Sequence, residues 1–332
     1  MNKKILGSLC MLLTATLFTA CKNGDAEFPD PDTGTSVYFA YQYPVRTIVL
    51  GDDEYDTTLD KAHKCQISVN FAGSYNGANG SVQIAVDNNL VNNLTFEDGS
   101  AVKAMPTDYY TLSATDLTFS GNYNSGYNAR TEVQLTDKFF ADPDAVKTTY
   151  VIPLYIVSQT AAAKINSGEP AEGVTSPVRT NPEDWLVPPM DYILYCVKYQ
   201  NKYSGYWLTH HTNSIDNIEK ANTVQITTKS LTQSVYSVDK QDGDKVYTVD
   251  LLLTFDGNEN CTISSLTPGA TVTGSGSWAD NGAKSSWGNK DRDLMKLDYT
   301  VTVDGYTWSV QEQLVWQRSG VTVQEFAPVY KK

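Results

Sequence analysis

The sequence predicts an all-β protein: an N-terminal immunoglobulin-like sandwich followed by an antiparallel β-meander that closes as a barrel or as a second sandwich. Two observations carry this. Apolar and polar residues alternate with a period of two. In "KVYTVDLLLTF" the residues Tyr247, Val249, Leu251, Leu253 and Phe255 share one face; in "DLMKLDYTVTVDG" Met295, Leu297, Tyr299, Val301 and Val303 do so against Lys296, Asp298, Thr300 and Thr302. Turn residues then separate such runs at short spacing. Asp304 and Gly305 form the two-residue signal of a tight hairpin into "YTWSVQEQLVW", where Trp308, Val310, Leu314 and Trp316 take the inward face and read as core.

Residues 1–20 read as a signal peptide. Lys3 and Lys4 give a basic start, residues 5–18 an apolar stretch too short for a comfortable bilayer span, and Thr19 and Ala20 a small-residue exit. "LFTAC" has the small-small-Cys form of a bacterial lipobox, in which Cys21 becomes the lipidated first residue; Phe18 departs from the box, which has Leu there. An ordinary secretory signal is the alternative. A lipid on Cys21 holds a protein on a membrane without spanning it. Residues 21–35, "CKNGDAEFPDPDTGT", are acidic and rich in Pro and Gly, and read as a flexible tether.

Residues 36–199 form the predicted sandwich, with short strands near 37–41, 65–71, 82–86, 109–112, 117–119, 131–135, 150–157 and 192–199 and a brief helical turn at "DNNLVNNL". Pro170, Pro177, Pro182, Pro188 and Pro189 resemble an interdomain linker, but "DYILYCVKY" directly after them reads as the closing strand of the same domain, so the run is a long loop and the boundary falls near Gln200. Residues 200–332 hold about eight sequential strands joined by short turns.

Composition narrows the partners. Lys and Arg number 25 against 38 Asp and Glu; removal of residues 1–20 takes away Lys3 and Lys4 and leaves a net charge of −15. Phosphate backbones are repelled by such a chain, so no nucleic-acid partner is expected. The charged fraction is low, and 21 Tyr and 6 Trp supply aromatic surface with polar tips, which suits neutral ligands. Cys65, Cys196 and Cys261 match no zinc spacing; Cys65 alternates with Ile67, Val69 and Phe71 and favours a buried thiol, with a Cys65–Cys196 disulfide as the alternative.

The stretch "GSGSWADNGAKSSWGN", residues 274–289, sets Trp278 and Trp287 among Gly, Ser, Asn, Asp and Lys. The C–H face of a sugar ring is apolar and packs on an indole, while its hydroxyls need amides, carboxylates and cationic donors; Asp280, Asn281, Lys284 and Asn289 would supply that rim. Competing platforms are Tyr123 and Tyr127 in "GNYNSGYN", Tyr75 in "GSYNGANG", and the neighbours Tyr206 and Trp207, one of which must face the core because consecutive strand residues point apart. By the same geometry His210 and His211 diverge and cannot share a metal, and His63 stands alone. No nucleophile elbow, HExxH or phosphate loop is present, and "GDDEYD" and "DKQDGDK" lack EF-hand spacing. No catalysis, cofactor or metal is expected.

The segments "LTDKFFAD", "YVIPLYIVS", "YCVKYQNKYSGYW", "GSGSW", "KLDYTV" and "LVWQRSGVTVQEFAP" together resemble the two-domain lipoproteins of Bacteroidetes polysaccharide-utilisation loci that occupy the SusE-like position. The acidic stretch after Cys21 is similar to the surface-export signal of such lipoproteins. The resemblance spans essentially the whole mature chain and implies a non-catalytic glycan-binding lipoprotein, anchored by lipid to the outer membrane and exposed at the cell surface. The implied partners are polysaccharide or oligosaccharide and a Sus-like TonB-dependent transporter with its lipoprotein partner. Because Gly274, Gly276 and Trp278 lie in a segment typical of that family's second domain, the resemblance favours a structural Trp278 and leaves Trp287 with the stronger claim to exposure. The alternative is a fimbrial or adhesin subunit that releases a donor strand on proteolysis, or a structural surface lipoprotein.

Overall fold

The computed structural model describes residues 30–32, 34–121, 126–214 and 220–332; the signal peptide, Cys21, most of the tether and Tyr123 lie outside the described residues. Alternating side chains leave each strand one apolar face, and the strands between Ser36 and Gln200, joined by Gln324–Glu325, pair those faces across two sheets. One sheet runs Lys164–Ile165, Ser36–Tyr38, Lys64–Ala72, Asn128–Leu135, Tyr110–Leu112. The other runs Gln324–Glu325, Pro44–Val49, Tyr192–Gln200, Tyr150–Gln159, Asn79–Val86, Asp116–Ser120. Ile67, Val69 and Val133 from the first sheet meet Ile152, Ile193 and Val197 from the second in one core. Tyr192–Gln200 lies between Tyr150–Gln159 and a parallel neighbour, Pro44–Val49, so the strand expected to close the domain sits inside its sheet. The Pro-rich stretch before it forms only a small ribbon, Glu169–Pro170 against Trp185–Val187.

The second half is a closed antiparallel barrel, which decides between the two expected closures. Its eight strands, in order around the barrel, are Gly205–Asn213, Lys220–Thr228, Gln233–Asp242, Lys245–Phe255, Asn260–Ser265, Ala270–Ala283, Arg292–Val303 and Tyr306–Arg318. Strand eight pairs with strand one, Trp316 opposite Trp207. Strand six explains "GSGSW": Val272, Gly274, Gly276 and Trp278 are its inward series. A Cβ on Gly274 would stand 2.5 Å from Tyr299 Cβ, and one on Gly276 2.7 Å from Leu297 Cδ2, so the glycines let strand seven lie close.

Past Arg318 the chain returns to the sandwich. Gln324 and Glu325 pair with Val45 and Pro44, the Phe326 ring lies 5.5 Å from Tyr43 and 5.1 Å from Phe96, and Val329 and Tyr330 pair with Thr95 and Leu94. Cys65, Cys196 and Cys261 are buried free thiols, pushed up to about 12 by burial. Cys65 faces the core between the sheets whereas Cys196 faces the opposite side of its strand, against Leu94 and Leu194, so the alternative disulfide does not form. Among the described residues no helix is long and apolar enough to cross a membrane.

Candidate functional site

The inward series of the eight barrel strands divides the interior into a filled half and a hollow half. Toward the sandwich it is filled: Trp207, Leu253, Met295 and Leu314 are completely buried and Trp316 nearly so. Tyr203 and Phe255 stack above them, ring centroids 3.7 Å apart and 5° from parallel, and Trp278 meets Tyr203 edge-on at 5.8 Å. The Lys202 ammonium lies 4.2 Å from the Trp278 ring centre and 2.6 Å from Glu259 Oε1, and the Tyr203 hydroxyl donates to Glu259 Oε2 at 2.8 Å. This is a plug whose charged tips are paired with each other. Beside it the carboxylates of Asp52, Asp280 and Asp293 come within 4.8 Å of one another. Burial first, and then the charges of Asp52 and Asp280, push Asp293 up to about 6, against the hydrogen bond it accepts from the Asn281 amide.

Away from the sandwich the interior holds a cavity of about 640 Å³, lined among others by Asn222, Val224, Tyr236, Val238, Tyr299 and Trp308. Its wall is open on one side. Strands two and three pair only between residues 226–228 and 234–236, so across that seam 221–225 and 237–242 leave a gap. On the floor stands Glu312, 4% exposed. Its Oε2 accepts from Thr209 at 2.8 Å and from Tyr236 at 3.2 Å, the Tyr299 hydroxyl also bears on the carboxyl, and Oε1 is buried with no partner. Burial raises the Glu312 carboxyl above its ordinary range, opposed by these hydroxyl donors.

Beside the Trp308 wall of this cavity stands an aromatic cluster. Two hairpins, with Gly243 and with Asp304 and Gly305 at positive φ, bring Tyr247 and Tyr306 to the same end of the barrel as the last inward residues of their strands. Their half-buried rings stack 5.1 Å apart, 6° from parallel, with Trp308 5.8 Å from Tyr306 and 6.5 Å from Tyr247. Lys245, paired with Asp304 at 2.9 Å, sits 4.3 Å from the Tyr247 ring centre.

The residues singled out in the sequence fall elsewhere. Trp287 is 50% exposed on a single 3₁₀ turn whose carbonyl accepts from Arg292 at 3.0 Å. Arg292 in turn lies over Trp316, which puts Trp287 at the sandwich end, away from the cavity. Most of its expected rim is occupied in building the loop: Lys284 pairs with Asp291 at 2.9 Å and the Asn281 side chain with Asp280 at 3.1 Å, while the Asn289 backbone N–H donates to the Ser286 carbonyl at 2.8 Å. Trp278 belongs to the plug. Trp207 is wholly buried with its indole N–H enclosed, so it is core and cannot serve as a sugar platform; its neighbour Tyr206 faces outward under the Arg318 guanidinium at 4.5 Å. Tyr127 is half-buried and donates its hydroxyl to the Tyr75 carbonyl, beside a depression it shares with Pro31 and Gly73. His210 points outward and His211 into the cavity wall, as divergence requires. Trp308 and Trp316 are both buried. Tyr247, Tyr306 and Glu312 were missed. A signal for Glu312 was present, because it interrupts the inward series Trp308, Val310, Leu314, Trp316 at the one position where an apolar residue is due.

Residues 198–320 match a domain of unknown function, DUF5627, and residues 31–163 match a family described only as an N-terminal domain. A crystal structure of a protein of unknown function from Bacteroides ovatus is similar at 33% identity over 90% of this chain and 99% of that one, with a TM-score of 0.79. Another, "a putative carbohydrate binding protein" from Bacteroides ovatus ATCC 8483, shares 11% identity over 80% of each chain at a TM-score of 0.27, too low to indicate a common fold. No curated relative matches the chain.

Proposed function

The chain belongs to the same family as the Bacteroides ovatus protein of unknown function, and from that premise we propose a non-catalytic, lipid-anchored surface protein that captures polysaccharide or oligosaccharide for a Sus-like TonB-dependent uptake system. The observation that carries this reading is the stacked pair Tyr247 and Tyr306 beside Trp308, which lines an open cavity. Half-buried rings held by two hairpins lose little side-chain freedom when a sugar ring packs against them, and the aromatic surface that the stack and Lys245 leave uncovered is what the C–H face of a sugar would meet. The lipobox-like Cys21 and acidic tether support a placement on the cell surface, where a tether raises the local concentration of captured glycan near a transporter. Chemistry on the glycan is left to other proteins.

Affinity electrophoresis of the mature chain across plant, fungal, microbial and host polysaccharides tests this. Retardation by one glycan class, lost in Tyr306→Ala and Tyr247→Ala while the melting curve is kept, supports capture at this cluster. Retardation lost only in Trp287→Ala moves the site to the 283–292 loop. No retardation by any polysaccharide sinks the capture reading.

A further inference from the structure

Behind the Tyr247 and Tyr306 platform the barrel holds space that packing does not use. An eight-stranded barrel is just wide enough for side chains to fill it, and the sandwich-facing half is filled by Trp207, Leu314 and Trp316. The other half keeps about 640 Å³, within the range of small-molecule sites. The buried Oε1 of Glu312 has no partner inside the protein, and an orphaned acceptor is costly to bury. An inward apolar residue at this position would have removed that cost.

Depth and chemistry define what fits. Glu312 lies four residues from Trp308, about 13 Å along the strand, with Leu314 closing the layer under it, and the way to it is from the Trp308 end or through the gap between strands two and three. With 4% of it exposed, a polymer lying across the outside does not reach it, whereas a chain end or branch that enters can. A sugar hydroxyl both donates and accepts and so satisfies the Glu312 carboxyl in either protonation state; a second carboxylate repels the ionised form. Tyr236, Tyr299, Val238 and Trp308 give the walls aromatic and apolar surface for the sugar ring.

Resting on the capture function above, we propose that the barrel cavity is a chain-end pocket in which the terminal residue of a neutral glycan hydrogen-bonds Glu312 Oε1. The test is calorimetric titration of the mature chain with short and long neutral oligosaccharides cut from starch, xylan, mannan and β-glucan, and with galacturonate oligomers. The expected result is binding by a neutral series at one protein per chain whatever the chain length. Glu312→Met, near-isosteric and without a strong hydrogen-bonding group, weakens it about tenfold or more, the loss of one strong hydrogen bond; Val238→Trp, which fills the cavity, abolishes it; Trp287→Ala leaves it intact. Should Val238→Trp fail to fold, Glu312→Met, checked by its melting curve, still decides the matter. Neutral binding that survives Glu312→Met, or several proteins on one long chain, overturns the pocket and leaves surface capture standing. Preference for galacturonate overturns the neutral chemistry. Absence of binding by every probe overturns both the pocket and the capture function.

Discussion

At the sandwich-facing end of the barrel, Tyr203, Phe255 and Trp278 close over a packed layer, and Glu259 holds both the Lys202 ammonium and the Tyr203 hydroxyl. At the far end Tyr247, Tyr306 and Trp308 stand beside a void, and Glu312 keeps one oxygen unanswered. Both ends use aromatic rings and a glutamate. They differ in the carboxylate: both Glu259 oxygens find partners within the fold and that cluster is a stopper, whereas one Glu312 oxygen finds none and that cluster is directed at something outside.

Four measurements bear on that contrast. The largest effect belongs to the filled half: Leu314→Ala, at a completely buried position, costs about 2–5 kcal/mol in urea unfolding, whereas Val238→Ala on the cavity wall costs about 1 kcal/mol, because its neighbours already border empty space. Equal losses would mean that the hollow half collapses in solution.

Asp293→Asn comes next. Its folded carboxyl, at about 6, lies above the ordinary value of 3.8, so the folded state holds the proton more tightly than the unfolded chain. The resulting stability is complete below the ordinary value and is lost as pH rises to about 6. At pH 7–8 the variant should therefore be more stable than the wild type by roughly 3 kcal/mol, about two pH units of linkage. A melting temperature unchanged by the substitution at pH 8 would remove the carboxylate repulsion from the account of this end.

Glu312→Gln is expected to change stability by less than about 2 kcal/mol. Because the Glu312 carboxyl is also raised by burial, the wild type loses stability as pH climbs above the usual glutamate range, and the variant should gain on it over the same climb. A wild-type advantage that grows with pH would show a paired, ionised Glu312 and erase the difference from Glu259. Smallest is Trp287→Ala, half exposed, at about 0.5 kcal/mol or less in denaturant unfolding, against about 3 kcal/mol for Trp278→Ala in the plug.

Alternation placed the sandwich strands and, in the barrel, those around 247–255, 295–303 and 306–316 with their inward residues, because side-chain direction in a strand is a local property. Closure was not local. Whether residues 205–213 pair with 306–318 to make a barrel depends on partners about a hundred residues apart. Strand six did not announce itself, because Gly274 and Gly276 leave its inward series short of apolar side chains, and the reason for them is the nearness of Tyr299 and Leu297. The loop around Trp287 read as a sugar rim because Asp280, Asn281 and Lys284 are the right residue types. Their hydrogen bonds to Asp291, Asp293 and each other became visible only in three dimensions. Tyr247 and Tyr306 sit in separate hairpins, so nothing in either hairpin announces the pair.

The return of the chain after Arg318 has an entropic consequence for the barrel. Strand pairing to the sandwich fixes the chain before the barrel at Tyr192–Gln200 and after it at Gln324–Glu325. If the barrel melts while the sandwich holds, its residues form a closed loop instead of a free tail. The denatured ensemble of such a loop is narrowed by a closure term that grows only with the logarithm of its length. Gln324, Phe326 and Tyr330 thus stabilise the barrel by restricting its disordered state, much as a cross-link would, while their own contacts lie with Val45, Tyr43 and Leu94 in the sandwich.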